Sequence, residues 1–286
     1  MDHSPDDHPH GLEQDLQRLA QLASRRRSLQ WLAGAAALPL GGLALAQRRP
    51  GGAAPTPPSS GGSSGSSGSS SCPLTAAETA GPYPGDGSNS NGSGIANALL
   101  LTGILRSDIR SSFAGASGAA QGVPLTVKLK LVNTSASCAS LAGYAIYLWH
   151  CDREGRYSMY SSGVTAENYL RGVQVTGSDG TASFTTIFPG CYSGRMPHMH
   201  FEVVRSATTA TQFSTSLRTS QIALPTAVCS TVYSGASGYS ASVSNFARIS
   251  FATDNVFSDG TSTEMSTVTG GLADGYAATL QVAISV

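Results

Sequence analysis

The sequence predicts an all-β domain, an antiparallel β-sandwich with irregular loops and little helix. Beyond residue 72, short apolar runs rich in valine, isoleucine, threonine and aromatic residues recur along the chain. Glycine, proline, asparagine and aspartate separate these runs at short intervals. Many short strands joined by turns are typical of a sandwich, whereas an α/β fold alternates strands with longer helical segments.

Four segments carry the clearest strand signals. Leu125–Val132 alternates apolar and polar residues, the pattern of a half-exposed strand, and Tyr144–Trp149 is continuously apolar, the pattern of a buried strand. Gly180–Ile187 begins at a turn signal and ends before Pro189. The fourth predicted strand is His198–Arg205.

Three weaker signals complete the predicted domain. Ala247–Ala252 and Ala278–Val286 are predicted strands. Ser214–Leu224 is predicted to be a helix that ends before Pro225, because proline cannot continue a helix that precedes it.

The chain before this domain has the features of an export signal. Arg25, Arg26 and Arg27 precede a short apolar stretch that ends in the small-x-small sequence Ala44-Leu45-Ala46. The arginine run is typical of a twin-arginine signal, so residues 1–46 are predicted to address the protein to that export machinery. We therefore expect a periplasmic or extracellular protein. The apolar stretch is short for a spanning helix of roughly 20 residues, so no membrane span is expected after cleavage; a retained anchor is the alternative.

Residues 47–71 are dominated by glycine, serine and proline. Such a segment cannot bury apolar surface and is predicted to be a flexible linker. The predicted folded domain therefore occupies residues 72–286, which is long enough for one sizeable core. Charge argues against some partners. The chain holds 17 Lys and Arg against 17 Asp and Glu, without a basic stripe in the domain, so nucleic acid is not an expected partner.

All five cysteines, Cys72, Cys138, Cys151, Cys191 and Cys229, lie beyond the predicted signal. An oxidising compartment favours disulfides, although spacing alone does not determine which cysteines pair. The preferred pairs are Cys138 with Cys151 and Cys72 with Cys229. No CxxC pair occurs, which argues against a structural zinc site of that type.

The sequence His198-Met199-His200 is the main indication of chemistry. Side chains alternate along a strand, so the two imidazoles share one face. Tyr157 and Tyr192 each follow a predicted strand and can meet them at one end of the sheet. Imidazole suits zinc, copper, iron and nickel, but a phenol with a pKa near ~10 binds at neutral pH only to a strongly Lewis-acidic ion. Fe(III) is therefore the predicted metal, and a copper or zinc site that uses the histidine pair alone is an alternative.

These motifs resemble the intradiol ring-cleavage dioxygenases, relatives of protocatechuate 3,4-dioxygenase and catechol 1,2-dioxygenase, and most closely their exported branch. The segments that carry the resemblance are Glu78–Tyr83, Trp149–Tyr157, Leu170–Thr176, Phe184–Tyr192 and Arg195–His200. The resemblance implies a β-sandwich that cleaves a catecholic compound with O2 and non-haem Fe(III), giving a muconate-type dicarboxylic product. It leaves a homodimer open.

The resemblance also implies roles for individual residues. Tyr157, Tyr192, His198 and His200 would bind the metal, with Tyr157 remaining bound and Tyr192 displaced by the substrate to act as a base. Arg195 would stabilise negative charge on the ring. Gln221 would be a supporting residue behind the ligands.

Other interpretations of these residues remain open at this point. The rival function is a non-catalytic exported binding module on the same β-sandwich. His150 is expected to be a hydrogen-bonded core residue, Arg171 to brace the fold, and Tyr83 to pack at the pocket edge.

Overall fold

The computed structural model describes residues 72–286; the predicted export signal (1–46) and linker (47–71) lie outside the described residues. The strands of the described part are β1 (Asp86–Ser90), β2 (Ile95–Asn97), β3 (Pro124–Asn133), β4 (Ala139–Ser140), β5 (Ala145–Trp149), β6 (Arg171–Val175), β7 (Thr181–Ile187), β8 (His198–Val204), β9 (Ser216–Ala223), β10 (Thr267–Gly271) and β11 (Gly275–Ile284). The helices are α1 (Thr226–Gly235) and α2 (Ser240–Phe246), with short 3₁₀ turns at Ala98–Leu100, Thr134–Ala136, Ala207–Thr209, Phe213–Thr215 and Phe257–Asp259. Between residues 72 and 286, no helix is long and apolar enough to cross a membrane.

Two sheets form the predicted sandwich. The first has the order β10-β11-β3, and both β4 and β7 pair with β3; the second has the order β6-β5-β8-β9. Every pair in these sheets is antiparallel except β11 with β3, which is parallel. A two-stranded hairpin, β1-β2, stands apart from both. The prediction of an antiparallel sandwich with little helix is therefore confirmed, with one parallel pair that the sequence pattern did not indicate.

The period-two pattern of β8 determines where the functional side chains point. Met199, Phe201 and Val203 lie in the hydrophobic core between the sheets. His198 and His200 alternate with them and lie on the opposite face of the sheet, where they are buried as well. Loops and the segment before β1 cover that face. The candidate site therefore lies outside the main core, on a rigid sheet.

The strand predictions at Leu125–Val132, Tyr144–Trp149, Gly180–Ile187, His198–Arg205 and Ala278–Val286 are confirmed by β3, β5, β7, β8 and β11. The predicted helix at Ser214–Leu224 is wrong, because this segment is β9, paired with β8 from Ser216 to Ala223. Pairing with β8 supplies hydrogen bonds that local periodicity cannot indicate. A helix does occur beside Pro225, but this helix, α1, follows the proline, whereas the predicted helix precedes it.

The predicted strand at Ala247–Ala252 is also wrong. This segment follows α2 in a series of turns, in which Ala247 N donates to Val243 O and Ile249 N donates to Phe246 O. Its apolar side chains Ile249 and Phe251 pack against a small cluster around Phe257 rather than in a sheet. Local turn hydrogen bonds therefore take the place of the predicted strand pairing.

The predicted disulfides are wrong as well. Cys72 pairs with Cys138, while Cys151, Cys191 and Cys229 are free and buried. Cys191 and Cys229 lie in the core between the sheets, and Cys151 lies in the apolar cluster on the opposite face of the second sheet. The Cys72–Cys138 bond instead ties the start of the domain to the turn after β3.

We expect the double substitution Cys72→Ser and Cys138→Ser to lower the free energy of unfolding by about 4 kcal/mol. The bond closes a loop with a sequence separation of 66, and its loss enlarges the conformational entropy of the unfolded chain. Urea denaturation of the two proteins measures the difference. Thiol titration of the unfolded, unreduced wild type should count three thiols, matching the free cysteines. A count of one or five would contradict this pairing.

Candidate metal centre

Four donor atoms from three parts of the chain meet on the covered face of the second sheet. Tyr157 lies in the loop after β5, Tyr192 lies in the loop after β7, and His198 and His200 lie on β8. The Nε2 atoms of the two histidines are 3.0 Å apart. The Tyr192 hydroxyl is 3.1 Å from His198 Nε2, and the Tyr157 hydroxyl is 3.2 Å from His200 Nε2. The structure thus brings together the four residues that the sequence predicts as ligands.

The two tyrosine loops approach each other through a glycine. Gly155 has φ +84°, and a Cβ at this position would stand 3.0 Å from the Tyr192 Cβ. The buried Asp152 carboxylate shapes the same turn, since its Oδ1 accepts hydrogen bonds from the backbone N–H groups of Glu154 and Arg156. This turn places Tyr157 beside Tyr192, with ring centroids 5.8 Å apart.

The environment of the two imidazoles prepares them to bind a cation. His198 Nδ1 is 2.6 Å from the Met196 carbonyl, which can only accept, so Nδ1 carries the hydrogen and Nε2 offers its lone pair to the site. The Trp149 indole stacks on the His200 ring, with centroids 5.0 Å apart and an interplanar angle of 7°. The pKa of both histidines lies well below the usual range. Burial is the main cause, and neighbouring positive charge is the second. Both rings are therefore neutral at neutral pH, the form that ligates metals.

The phenols are prepared differently. Burial raises the pKa of Tyr157 and of Tyr192 above the usual range, so both hydroxyls keep their protons unless a cation offsets the loss of hydration. A strongly charged ion supplies that offset, whereas a weak Lewis acid does not. Tyr157 is fully buried and Tyr192 is half-buried. The two phenols thus differ in access to solvent.

The spacing of the donors fits one metal ion. Two donors that bind one ion at about 2.1 Å and at a right angle lie about 3.0 Å apart. The three donor–donor distances given above, 3.0, 3.1 and 3.2 Å, are close to that value. Within the described part of the chain, no group of three or more His, Cys, Asp or Glu side chains is placed to hold a metal. A metal at this centre therefore depends on the two tyrosines, and two phenols with two imidazoles fit Fe(III).

The structure places Arg195 beside His198 and places Gln221 against Arg195. Arg195 Nη1 is 3.5 Å from His198 Nε2, and Arg195 Nη2 donates to Gln221 Oε1 at 2.6 Å. Gln221 reaches this position because β9 pairs with β8 and places it opposite His200. The guanidinium is therefore a buried positive charge held at the edge of the centre.

The segment Thr79–Gly85, which we call the strap, crosses over the centre. Gln221 Nε2 donates to the Thr79 carbonyl at 2.9 Å. The Tyr83 ring packs on Tyr157, with centroids 4.9 Å apart. Gly81 has φ +70°, and a Cβ there would stand 3.3 Å from His200 Cε1. The strap therefore covers the His200 side of the centre, and Tyr83 lies at its edge as expected.

We expect Gly81→Ala to weaken metal binding at the centre, because the new methyl group presses on the His200 ring. Gly143→Ala is the matched control, since Gly143 has φ +80° and open space around it. Both variants should lose about 1–2 kcal/mol of stability from the left-handed backbone. Iron titration should then show weaker binding for Gly81→Ala only. Equal iron affinities in the two variants would contradict the contact with His200.

The structure also decides the roles of the other polar residues considered. His150 is a core residue, as expected: its Nδ1 is 2.8 Å from the Cys151 carbonyl and its Nε2 is 2.7 Å from Thr186 Oγ1. Arg171 braces the fold, as expected, and donates to the carbonyl oxygens of Tyr83, Pro84 and Ser158. Neither residue contributes a donor to the centre.

Sequence reasoning did not find two residues near the site, Asp254 and Glu202. Asp254 is fully buried and binds Arg195, although its position in a turn-rich segment carries no periodic signal. Glu202 shares the face of β8 that carries His198 and His200, and its spacing from them could have been noticed. Burial and the neighbouring Asp86 raise the pKa of Glu202 to about 8, so this face carries a neutral carboxyl at neutral pH.

Comparisons with family models and with solved structures found proteins similar to this chain. A family model described as Dioxygenase matches residues 107–217, less than half of the chain, in a segment that includes the four donors and Arg195. An intradiol ring-cleavage dioxygenase from Tetranychus urticae has 25% sequence identity and a TM-score of 0.56, over 75% of this chain and 95% of that one. The dioxygenase domain of a carbohydrate-binding fusion protein from Streptomyces sp. SirexAA-E has 23% identity and a TM-score of 0.46, over 75% of this chain and 99% of that one. No curated protein matches this chain.

The fold is that of the intradiol ring-cleavage dioxygenases. The described residues form mainly β-strands and loops, with few helices, and this content agrees with that fold. The two tyrosines lie in loops. The family match ends at residue 217, so Gln221 lies beyond it.

Proposed function

We propose that this protein is an exported, Fe(III)-dependent dioxygenase that cleaves a catecholic ring between its two hydroxylated carbons. The single observation that carries the proposal is the convergence of two phenol oxygens and two imidazole Nε2 atoms within 3.0 to 3.2 Å of their neighbours. Two neutral imidazoles and two phenols suit a ferric ion. The family match and the fold of the Tetranychus urticae enzyme support the same reaction class.

Tyr157, Tyr192, His198 and His200 would hold the iron. Bound there, Fe(III) would supply Lewis-acid chemistry that activates a catechol towards O2. The buried Tyr157 is enclosed by Tyr83 and His200, which holds it in place. Tyr192 keeps part of its surface exposed, so we assign the second proton of the incoming catechol to its oxygen rather than to that of Tyr157.

Arg195 has the position to stabilise negative charge on the bound ring. Its Nη1 is directed at the donor cluster, and its other N–H groups are held by Gln221 and Asp254. A fixed charge in a site shielded from water stabilises developing charge more strongly than a solvated one. Gln221 acts through Arg195 and through the strap, because its amide joins the two.

The visible absorption spectrum of the iron-loaded protein tests this proposal. We expect a tyrosinate-to-Fe(III) band that shifts when catechol is added without O2 and bleaches when O2 is admitted. The product should be a dicarboxylic acid that contains both oxygen atoms of one O2. Resorcinol, whose 1,3-hydroxyl groups cannot chelate, is the control and should leave the band unchanged.

Different failures point to different alternatives. A protein that takes up no iron would support the non-catalytic binding module. Tight copper or zinc binding without a phenolate band would support a site built from the histidine pair alone. A coloured protein that ignores catechol would keep the metal centre and contradict the substrate.

We also propose that the folded, iron-loaded protein leaves the cytoplasm by the twin-arginine route. That route carries folded proteins, which suits a metal bound by residues from three separate loops and strands. Replacing Arg25, Arg26 and Arg27 with lysine should retain the protein in the cytoplasm, as measured by cell fractionation. Unchanged export of that variant would contradict the route.

A further inference from the structure

Asp254 occupies a position between the metal centre and the turn before the 3₁₀ segment Phe257–Asp259. Its carboxylate is completely buried. It accepts hydrogen bonds from Arg195 Nε at 3.0 Å and from the backbone N–H of Met196 at 2.6 Å. It also accepts from the backbone N–H groups of Val256 and Phe257, at 2.8 and 3.0 Å. One carboxylate therefore joins two segments of the chain that are about 60 residues apart.

The contacts of Asp254 determine how Arg195 is oriented. The guanidinium is a planar fork whose N–H groups point in fixed directions. Because Nε is held by Asp254 and Nη2 by Gln221, Nη1 is left facing His198 Nε2. The guanidinium also lies over the Phe257 ring, with the Arg195 Cζ 5.6 Å from the ring centroid. Rotation of the guanidinium away from the centre would break both hydrogen bonds.

The same carboxylate also positions a ligand. The Met196 N–H that donates to Asp254 belongs to the residue whose carbonyl receives the His198 Nδ1 hydrogen. Phe257, whose N–H is held by Asp254, packs edge-on against the His198 ring at 6.2 Å between centroids. Asp254 thus contacts both supports of His198 in addition to Arg195.

We propose that Asp254 is a positioning residue that holds Arg195 Nη1 towards the metal centre and balances its charge. This inference rests on the proposed function, since the purpose of the orientation is to place positive charge beside the reacting ring. Asp254 touches none of the four donor atoms. It contacts Arg195 directly and reaches His198 only through Met196 and Phe257. We therefore expect its effect on kcat to pass through Arg195, while iron remains bound.

The substitution Asp254→Asn tests the proposal, because it keeps the size and one acceptor oxygen but removes the charge. We expect kcat for catechol to fall about 10- to 100-fold, the range typical of groups that support metal ligands. Iron content and the phenolate band of the resting protein should stay as in the wild type. KM should change less than kcat, because the charge on the ring grows after binding. Wild-type kcat in Asp254→Asn would overturn the proposal.

A double-mutant cycle separates positioning from general damage. If Asp254 acts through Arg195, then Arg195→Ala combined with Asp254→Asn should have the kcat of Arg195→Ala alone. Multiplied losses in kcat would overturn the proposal. Glu167→Gln is the control. The Glu167 carboxylate also accepts from a backbone N–H and a side chain, those of Gly118 and Ser112, away from the centre, and its loss should leave kcat within about twofold.

Two further measurements keep the test independent of folding and of the proposed function. If Asp254→Asn does not fold, Asp254→Glu is the substitute, because it retains the charge. Its kcat should lie between those of the wild type and Arg195→Ala. A kcat as low as that of Arg195→Ala would overturn the proposal. The unfolding midpoints of the metal-free proteins should show the same non-additive coupling between Asp254 and Arg195. If the wild type shows no O2 uptake with catechol, the proposed function fails, and this coupling still decides whether Asp254 holds Arg195.

Discussion

We expect His200→Ala to remove the iron and lower kcat/KM for catechol by more than about 100-fold. Substitution of a group that only supports a metal ligand lowers metal affinity or activity about 10- to 100-fold, so the loss of a ligand itself should have a larger effect. His200 Nε2 is the donor that links the other histidine and Tyr157, at 3.0 and 3.2 Å. Its removal breaks the cluster at its centre. Iron content by metal analysis and O2 uptake measure the two effects.

His150→Ala is the matched control for this experiment. His150 is buried and neutral like His200, but its ring nitrogens bind the Cys151 carbonyl and Thr186 Oγ1. Burial lowers the pKa of His150 to about 4, so the substitution removes no charge at neutral pH. We expect lower stability with a full complement of iron. Equal iron loss in both variants would show that buried histidines in general, rather than the metal centre, account for the effect.

We expect Arg171→Ala to lower the free energy of unfolding by about 4–6 kcal/mol. The Arg171 side chain is fully buried and satisfies the carbonyl oxygens of Tyr83, Pro84 and Ser158. Each buried acceptor that loses its partner costs about 1–3 kcal/mol, and the cavity adds to that loss. Urea denaturation measures the change. This is a large part of the roughly 5–15 kcal/mol that stabilises a domain.

The same substitution should loosen the strap over the metal centre. Arg171 is the cation that holds Tyr83 and Pro84 of the strap against Ser158, the residue next to Tyr157. If Arg171→Ala does not fold, Arg171→Lys keeps the charge but loses the fork, and a smaller loss is expected. Arg110→Ala is the control, since its pair with Asp108 is exposed and contributes under about 1 kcal/mol. Equal losses at both arginines would contradict the bracing role.

Most of the sheet and all four donor residues could be predicted from the sequence. Alternation in Leu125–Val132 and the continuous apolar run Tyr144–Trp149 reflect period-two burial, which is a local property. The His-x-His spacing works in the same way, because alternation alone places both imidazoles on one face of β8. The prediction of Arg195 and Gln221 at the site came instead from the family resemblance, and the structure places both there.

The sequence-based predictions are wrong where contacts between distant segments outweigh the local preference of the chain for helix or strand. Ser216–Ala223 contains residues compatible with helix, yet it pairs with β8 along its length. Cys72 and Cys138 meet because the chain before β1 passes beside the turn after β3, which no spacing of cysteines reveals. Asp254 is in the same category, since its partners lie in the loop before β8, far away in the sequence.

The sequence by itself determined the type of sheet, the shared face of His198 and His200, and the donor types that suit ferric iron. Only the tertiary structure decided that Tyr157 and Tyr192 lie within 3.2 Å of those imidazoles, that a strap held by Arg171 covers them, and that Asp254 orients Arg195. The physical reason is the range of the forces involved. Periodicity records which side of one strand is buried, whereas the direction of a buried charge depends on hydrogen bonds from segments that meet only when the chain folds.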